Sequence, residues 1–276
     1  MQYEIPTDLQ TALALYAVKG SRIIAGGTDV FPAAKQGHTP RTLIDLTAIP
    51  ALSGIELIGD HYRIGAATTW SDIIKAELPA GFDALKQAAR EVGSIQIQNA
   101  GTIGGNICNA SPAADGVPPL LALDAKVELA SAVNGVRRMA LSEFILNVRK
   151  TSLAEDEIVS AVLIPKPGAL EKSAFEKLGS RRYLVISITM TAANITCDKS
   201  GVITHAKIAV GACSPVAQRL TAFEADIIGQ KPENIKITEQ HLSVLSPIDD
   251  VRGSGEYRMD VVAEQCKRAV LRAATS

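Results

Sequence analysis

Two short stretches of this chain combine residue types suited to holding an anion: Ala25-Gly26-Gly27-Thr28-Asp29 and Thr102-Ile103-Gly104-Gly105-Asn106. Each follows an apolar stretch, Ile23-Ile24 in one case and Ile95-Gln96-Ile97 in the other, and each joins two adjacent glycines to a hydroxyl residue. Glycine has no Cβ and tolerates positive φ, so such a turn brings backbone N–H groups close to an anion. Thr28 and Thr102 can donate O–H groups to phosphate oxygens, and Asn106 can donate its amide N–H. A single glycine pair reads as an ordinary loop turn. Two of them, 78 residues apart, read as two loops closing on one extended phosphate ligand such as a dinucleotide pyrophosphate.

The elements that must position these residues follow from the hydrophobic pattern. Residues 7–19 read as an amphipathic helix capped by Thr7 or Asp8 and ended by Gly20. Arg22-Ile23-Ile24-Ala25 reads as a strand entering the first glycine turn, and residues 42–46 as the next buried strand. A dinucleotide fold of the Rossmann type runs strand, turn, helix with G-x-G-x-x-G spacing. Here the order is helix, strand, turn and the spacing is absent, so that fold is rejected. Two strand pieces flank Gly59-Asp60. Residues 69–76, with Ser71 as cap, and 82–92, ended by Gly93, read as helices, as do residues 117–123, ahead of which Asp115 alone reads as an N-cap. Asn134-Gly135 marks a hairpin between residues 126–130 and 136–140, and residues 158–164 form a further strand. The cluster Pro165-Lys166-Pro167-Gly168 is the expected domain boundary, dividing the chain into 1–168 and 169–276. Beyond it residues 173–178, 185–196 and 202–211 read as strands and 215–228, 233–245 and 255–274 as helices, an α+β arrangement.

Composition narrows the function. The chain has 276 residues, 47% of them hydrophobic, with 28 basic against 29 acidic residues and a formal net charge of −1. No basic excess points to nucleic acid, and no polybasic, lipidation or leader pattern points to a membrane or to export. A cytoplasmic protein is expected. Cys108, Cys197, Cys213 and Cys266 form no C-x-x-C pair, and His38, His61, His205 and His241 show no ligand spacing, so no metal is expected. Redox work would fall to an organic cofactor.

The combination of RIIAGGTDV, NAGTIGGNICNASPAADGVPPLLALDAKVEL and DEIVSAVLIP resembles the FAD-binding medium subunit of the molybdenum hydroxylases, the xanthine dehydrogenase and carbon monoxide dehydrogenase family. DDVRGSGEYR before the final helix resembles that family's C-terminal domain. The likeness covers essentially the whole chain. It implies a two-part FAD-binding domain of the vanillyl-alcohol-oxidase (PCMH) type, followed by a small α+β domain of three antiparallel strands and helices. It implies that Arg22, Ile23, Ile24, Ala25, Gly26, Gly27, Thr28 and Asp29 run along the FAD diphosphate, with a second clamp at Thr102, Ile103, Gly104, Gly105 and Asn106. It also sets Asp115, Val159 and Lys177 beside the cofactor. Asp115 would accept from a ribose or ribityl hydroxyl, Val159 would offer an apolar wall or a backbone group, and Lys177 would bring positive charge to the flavin or the phosphates. Tyr183 reads either as a ring stacked on the isoalloxazine or as a core residue.

The likeness further implies partners: a large subunit with the molybdenum cofactor and a small subunit with 2Fe–2S clusters, in a heterotrimer that is commonly doubled. This chain has no cysteine-rich insertion for an extra cluster and no histidine at the first glycine motif, so FAD would be bound non-covalently. Electrons would arrive from a partner's clusters and leave through FAD to an external acceptor, with no catalytic acid or base on this chain. Two other readings compete: a self-contained flavin oxidoreductase of the same superfold, and a scaffold subunit without FAD. The substrate and the acceptor are not legible in the sequence.

Overall fold

The computed structural model describes residues 2–34 and 41–275. His38 lies outside them. The chain forms two compact units whose segments alternate: Met1–Ala76, Ile95–Asn109 and Ala125–Lys166 make unit one, and Glu77–Ser94, Ala110–Asp124 and Pro167–Ser276 make unit two.

Unit one opens with a parallel sheet of β1 (Gln2–Glu4), β2 (Ser21–Ile24) and β3 (Thr42–Asp45), ordered β1-β3-β2. The helix Leu9–Tyr16 precedes β2, and its cap is Asp8, whose carboxylate accepts from the Thr11 N–H at 2.8 Å. A second, antiparallel sheet contains β4 (Ile55–Ile58), β5 (His61–Gly65), β6 (Lys126–Ser131), β7 (Gly135–Ala140) and, beyond the small hairpin of β8 (Ile145–Asn147) and β9 (Lys150–Thr151), β10 (Glu157–Pro165). Its order is β4-β5-β10-β6-β7. Central β10 is buried along nearly its whole length, as its apolar run requires. Ile44, Ile49 and Leu52 pack with Ala130 and Ile158 into the core of this unit.

The helix Trp70–Lys75 is capped by Thr69 in a reciprocal box with Asp72, not by Ser71. The Ser71 hydroxyl instead donates to Asn99 at 2.5 Å. The second glycine pair lies inside a helix, Ile103–Asn109, rather than in a turn.

Unit two is built on β11 (Glu171–Leu178), β12 (Thr189–Cys197), β13 (Ile203–Gly211) and β14 (Gln218–Arg219), paired in that order. The expected three strands are present. The two-residue fourth strand occupies what reads in sequence as the start of a helix, so that helix begins only at Thr221. Residues 185–188, expected as the start of a strand, belong instead to the loop before β12. The long helix Gly255–Thr275 buries Val262, Cys266, Ala269 and Val270 against the sheet's hydrophobic residues. Edge strand β11 is covered by side chains rather than left as an open template. The Ala84 N–H donates to Ser173 Oγ at 2.8 Å, the Phe175 N–H to Gln87 Oε1 at 2.8 Å, and Arg272 to the Phe175 carbonyl at 3.3 Å.

Candidate cofactor site

In unit one the two glycine stretches, distant in sequence, are packed together. A Cβ on Gly26 would sit 1.7 Å from the Ala100 carbonyl oxygen and 2.9 Å from the Gly101 nitrogen, so only glycine permits the contact. Gly27 alone among the four motif glycines has positive φ, +69°. Gly104 is fixed by crowding: a Cβ there would lie 2.6 Å from the Ala66 carbonyl oxygen. Gly26 and Gly104 therefore serve close backbone packing, and Gly27 serves an unusual dihedral.

The two motifs differ in what they leave open. In the second, four of the five N–H groups, all but that of Thr102, are already used. Ile103 donates to the Thr68 carbonyl, Gly104 to that of Ala66, Gly105 to Thr102 Oγ1 at 3.0 Å, and Asn106 to the Thr102 carbonyl. Thr102, almost fully buried, acts as the helix cap and keeps its own hydroxyl hydrogen to donate. In the first motif the N–H groups of Gly26, Gly27, Thr28 and Asp29 make no hydrogen bond among the described residues. Asn106 Oδ1 is buried with no partner. Gly105 is exposed, and only Thr102 Oγ1, at 3.0 Å, lies near its missing side chain. Open backbone donors, an orphaned amide and a bare glycine together fit a ligand carrying phosphate and hydroxyl groups.

The remaining predicted residues of unit one fall into two kinds. Ile24 and Ile103 are core side chains, and Ile23 is half-buried against the same core. Ala25 is half-buried, and Arg22 is exposed on β2. Val159 is buried on β10 at an irregularity of the ladder between Val159 and Ala161. Asp29 is held by the Asn109 amide at 2.8 Å, and Arg149 donates to the Asn109 side chain in turn. Neither Asn109 nor Arg149 carries any local signal that sequence reasoning could have used.

In unit two, Asp115 and Lys177 meet each other. Lys177 Nζ lies 2.7 Å from Asp115 Oδ2, and the two side chains are only 9% and 7% exposed. Lys177 also donates to the Glu91 carbonyl at 3.0 Å, and Ser187 donates to Asp115 Oδ1 at 2.6 Å. Burial pushes the Asp115 carboxyl up, against the opposing pull of Lys177 and Ser187. Asp115 is thus no helix cap: the residue flanking Val117–Ala122 is Gly116, and no side chain caps that end. Nor is Lys177 a solvated charge. Two of its three N–H donors are occupied, leaving one. Ser187 is a partner of this pair that the sequence did not announce. Tyr183 is 65% exposed in the loop before β12, which removes the core reading of that residue.

Among the described residues no group of histidine, cysteine and carboxylate side chains is arranged to hold a metal ion. No helix among the described residues is long and apolar enough to cross a membrane.

The fold and the glycine cradle define a flavin-binding protein of the two-part type. Residues 1–167 match the FAD binding domain in molybdopterin dehydrogenase, and residues 173–273 the CO dehydrogenase flavoprotein C-terminal domain. The chain is 36% identical over 252 residues to the nicotinate dehydrogenase FAD-subunit of Eubacterium barkeri, covering 88% of this chain and 84% of that one. It is 31% identical over 280 residues to the nicotine 6-hydroxylase medium subunit of Paenarthrobacter nicotinovorans, covering 99% and 97%. A chain of the reconstituted CO dehydrogenase from Oligotropha carboxidovorans superposes with a TM-score of 0.91 at 27% identity, covering 100% and 98%. The protein belongs to the FAD-binding medium subunits of the xanthine dehydrogenase and carbon monoxide dehydrogenase family, and is an oxidoreductase component.

Proposed function

We propose that this chain is the electron-exit subunit of a molybdenum-containing hydroxylase: it takes electrons from 2Fe–2S clusters on a small partner and passes them through FAD to an external acceptor. The molybdenum cofactor would lie on a large partner, completing a heterotrimer in the cytoplasm. The observation that carries the reading is the packed glycine pair of unit one, with four open backbone N–H groups beside an orphaned amide oxygen. Bound FAD supplies the exchange between one-electron input and two-electron output.

The chain's own residues do the holding. The N–H groups of Gly26 to Asp29 and the Thr28 hydroxyl take the diphosphate on one side. On the other, the Thr102 hydroxyl and the Asn106 side-chain N–H would donate to it, the unpartnered Asn106 Oδ1 would accept from a ribose or ribityl hydroxyl, and Gly105 would leave room for approach. Arg22 to Ala25 and Ile103 set the backbone of the two stretches, and Val159 adds an apolar wall. Lys177, steadied by Asp115, keeps one N–H for the flavin or its phosphates. We further propose that the functional modules divide near residue 168. Tyr183, Leu184 and Ile186 are all more than half exposed in one loop, which suits a surface covered by cofactor or partner.

The test is co-expression with the large and small subunits, followed by anaerobic addition of the complex's substrate. Flavin bleaching after reduction of the clusters is the expected result. Flavin that stays oxidised while the clusters are reduced excludes the exit role. Chain that purifies without partners and turns over a substrate alone supports the self-contained oxidoreductase instead.

A further inference from the structure

In unit one, Arg149 holds a backbone position that does not suit an arginine. It is the second residue of the two-residue turn Val148-Arg149 joining β8 to β9, and its φ is +57°, a conformation that favours glycine or asparagine. The turn has its own local support, since the Asn147 side chain accepts from the Val148 N–H at 2.7 Å. The arginine side chain serves something further off. Its Nη1 donates to the Asn109 side-chain oxygen and lies 3.9 Å from Asp29 Oδ1. Asn109 ends the helix of the second glycine stretch, and its amide nitrogen donates to that same carboxylate oxygen at 2.8 Å. The guanidinium therefore fixes which way the amide faces, oxygen toward Arg149 and nitrogen toward Asp29. Asp29 is the only carboxylate in either glycine stretch, and it directly follows Gly26-Gly27-Thr28, whose N–H groups are open to a ligand. A carboxylate there, left unmatched, repels phosphate. Arg149 and Asp29 are both more than half exposed, so their attraction adds little to folding stability.

From this arrangement we infer that Arg149 is a positioning residue of the cofactor cradle. Through Asn109 it holds the Asp29 carboxylate in place, and it offsets that charge where the diphosphate must approach. The inference rests on the glycine cradle holding the FAD diphosphate. Its test is Arg149→Gly, in the wild-type background and in an Asp29→Asn background, where the Asn109 amide still finds an oxygen. Full-length chain is freed of flavin, melted, and retitrated with FAD by flavin fluorescence. Arg149→Gly should melt no earlier than wild type, because glycine relieves the left-handed turn position. It should nevertheless bind FAD about fivefold more weakly, with the difference shrinking as salt is added. In the Asp29→Asn background the same substitution should leave FAD affinity unchanged. Unchanged affinity of Arg149→Gly in the wild-type background overturns the inference. So does an equal loss in both backgrounds, which would give the Asp29 charge no part. A loss of affinity with an earlier melt overturns it too, because Arg149 would then be a brace of the fold. Gly105→Ala, titrated alongside, keeps the cradle and the arginine apart. If Gly105→Ala weakens FAD and Arg149→Gly does not, the cradle stands and the inference falls. If neither changes FAD binding, both fall. None of these outcomes depends on electron transfer, so the exit role is tested separately.

Discussion

At the scale of single residues, the two glycines of the second motif have different duties, and substitution separates them. Gly104 is locked against the Ala66 backbone, so Gly104→Ala should cost about 3 kcal/mol of stability and lose FAD only by losing the fold. Gly105 is exposed on the same helix, and Gly105→Ala should change stability by no more than about 1 kcal/mol. It should nevertheless weaken FAD retention, because the new methyl group occupies the approach face. Thermal unfolding and the flavin-to-protein absorbance ratio, measured together on both variants, check this. Full flavin retention by a stably folded Gly105→Ala chain counts against the phosphate cradle. Cysteines give a second residue-scale expectation. Burial pushes the Cys213 and Cys266 thiols up to about 12, so both should resist alkylation at pH 8 until the chain is unfolded. Peptide mapping by mass spectrometry checks it, and labelling of either in native protein contradicts their burial. The residue types of the cradle were legible in the sequence, since a glycine pair with a hydroxyl neighbour is a local signal. What each glycine does was not, because the atoms that forbid a Cβ at Gly26 and Gly104 belong to Ala100 and Ala66, and only the folded chain brings them there.

At the scale of elements, the strands that frame the cradle are pinned by carboxylates turned inward from β6 and β10. Glu157 takes a two-pronged contact from Arg137, at 2.5 and 2.7 Å, and that bond holds its carboxyl below the ordinary 4.5. A depressed carboxylate contributes stability that is complete above its unfolded-state pKa and is lost as pH falls through its folded-state value. Glu157→Gln should therefore cost about 1 to 2 kcal/mol at pH 7, the lower side reflecting a partner that is 44% exposed. The gap between variant and wild type should close as pH drops below 4.5. Urea unfolding at a series of pH values reads it directly, and a gap that persists at pH 3 contradicts the assignment. The strands themselves were readable from alternation and from Asn134-Gly135. The elements that were misread are those decided by tertiary partners. Thr102 turned the second glycine pair into a helix by accepting the Gly105 N–H. Arg219, committed to Glu224 and Asp124, belongs to β14 instead of a helix. Asp115 left the helix end for Lys177 and Ser187, residues 62 and 72 positions away.

For the whole molecule, the sequence families divide the chain near residue 168, whereas compact packing assigns 77–94 and 110–124 to the second unit. Those two segments carry the helices Asp83–Glu91 and Val117–Ala122. Ala84, Ala88 and Ala122 bury their faces with Phe175, Met190 and Ala192 of the C-terminal sheet in one cluster. A fragment ending at residue 168 would expose that cluster's near side, and a fragment beginning at 169 its far side. Each loss removes apolar burial at about 25 cal/mol per Å² with nothing to replace it, and edge strand β11 would also lose the covering bonds from Gln87 and Ala84. An uncovered strand edge beside exposed apolar residues favours aggregation. We therefore expect 1–168 and 169–276, expressed separately, to be insoluble or to lack a cooperative unfolding transition. Co-expressed, they should recover the circular dichroism and the flavin content of the intact chain, because the cut lies in the Pro-Gly segment between β10 and β11 and breaks neither sheet. Size-exclusion chromatography with thermal melts on each fragment and on the mixture provides the measurement. A fragment 1–168 that melts cooperatively and holds FAD by itself would show that the flavin domain needs none of the contacts made by β11 and β12.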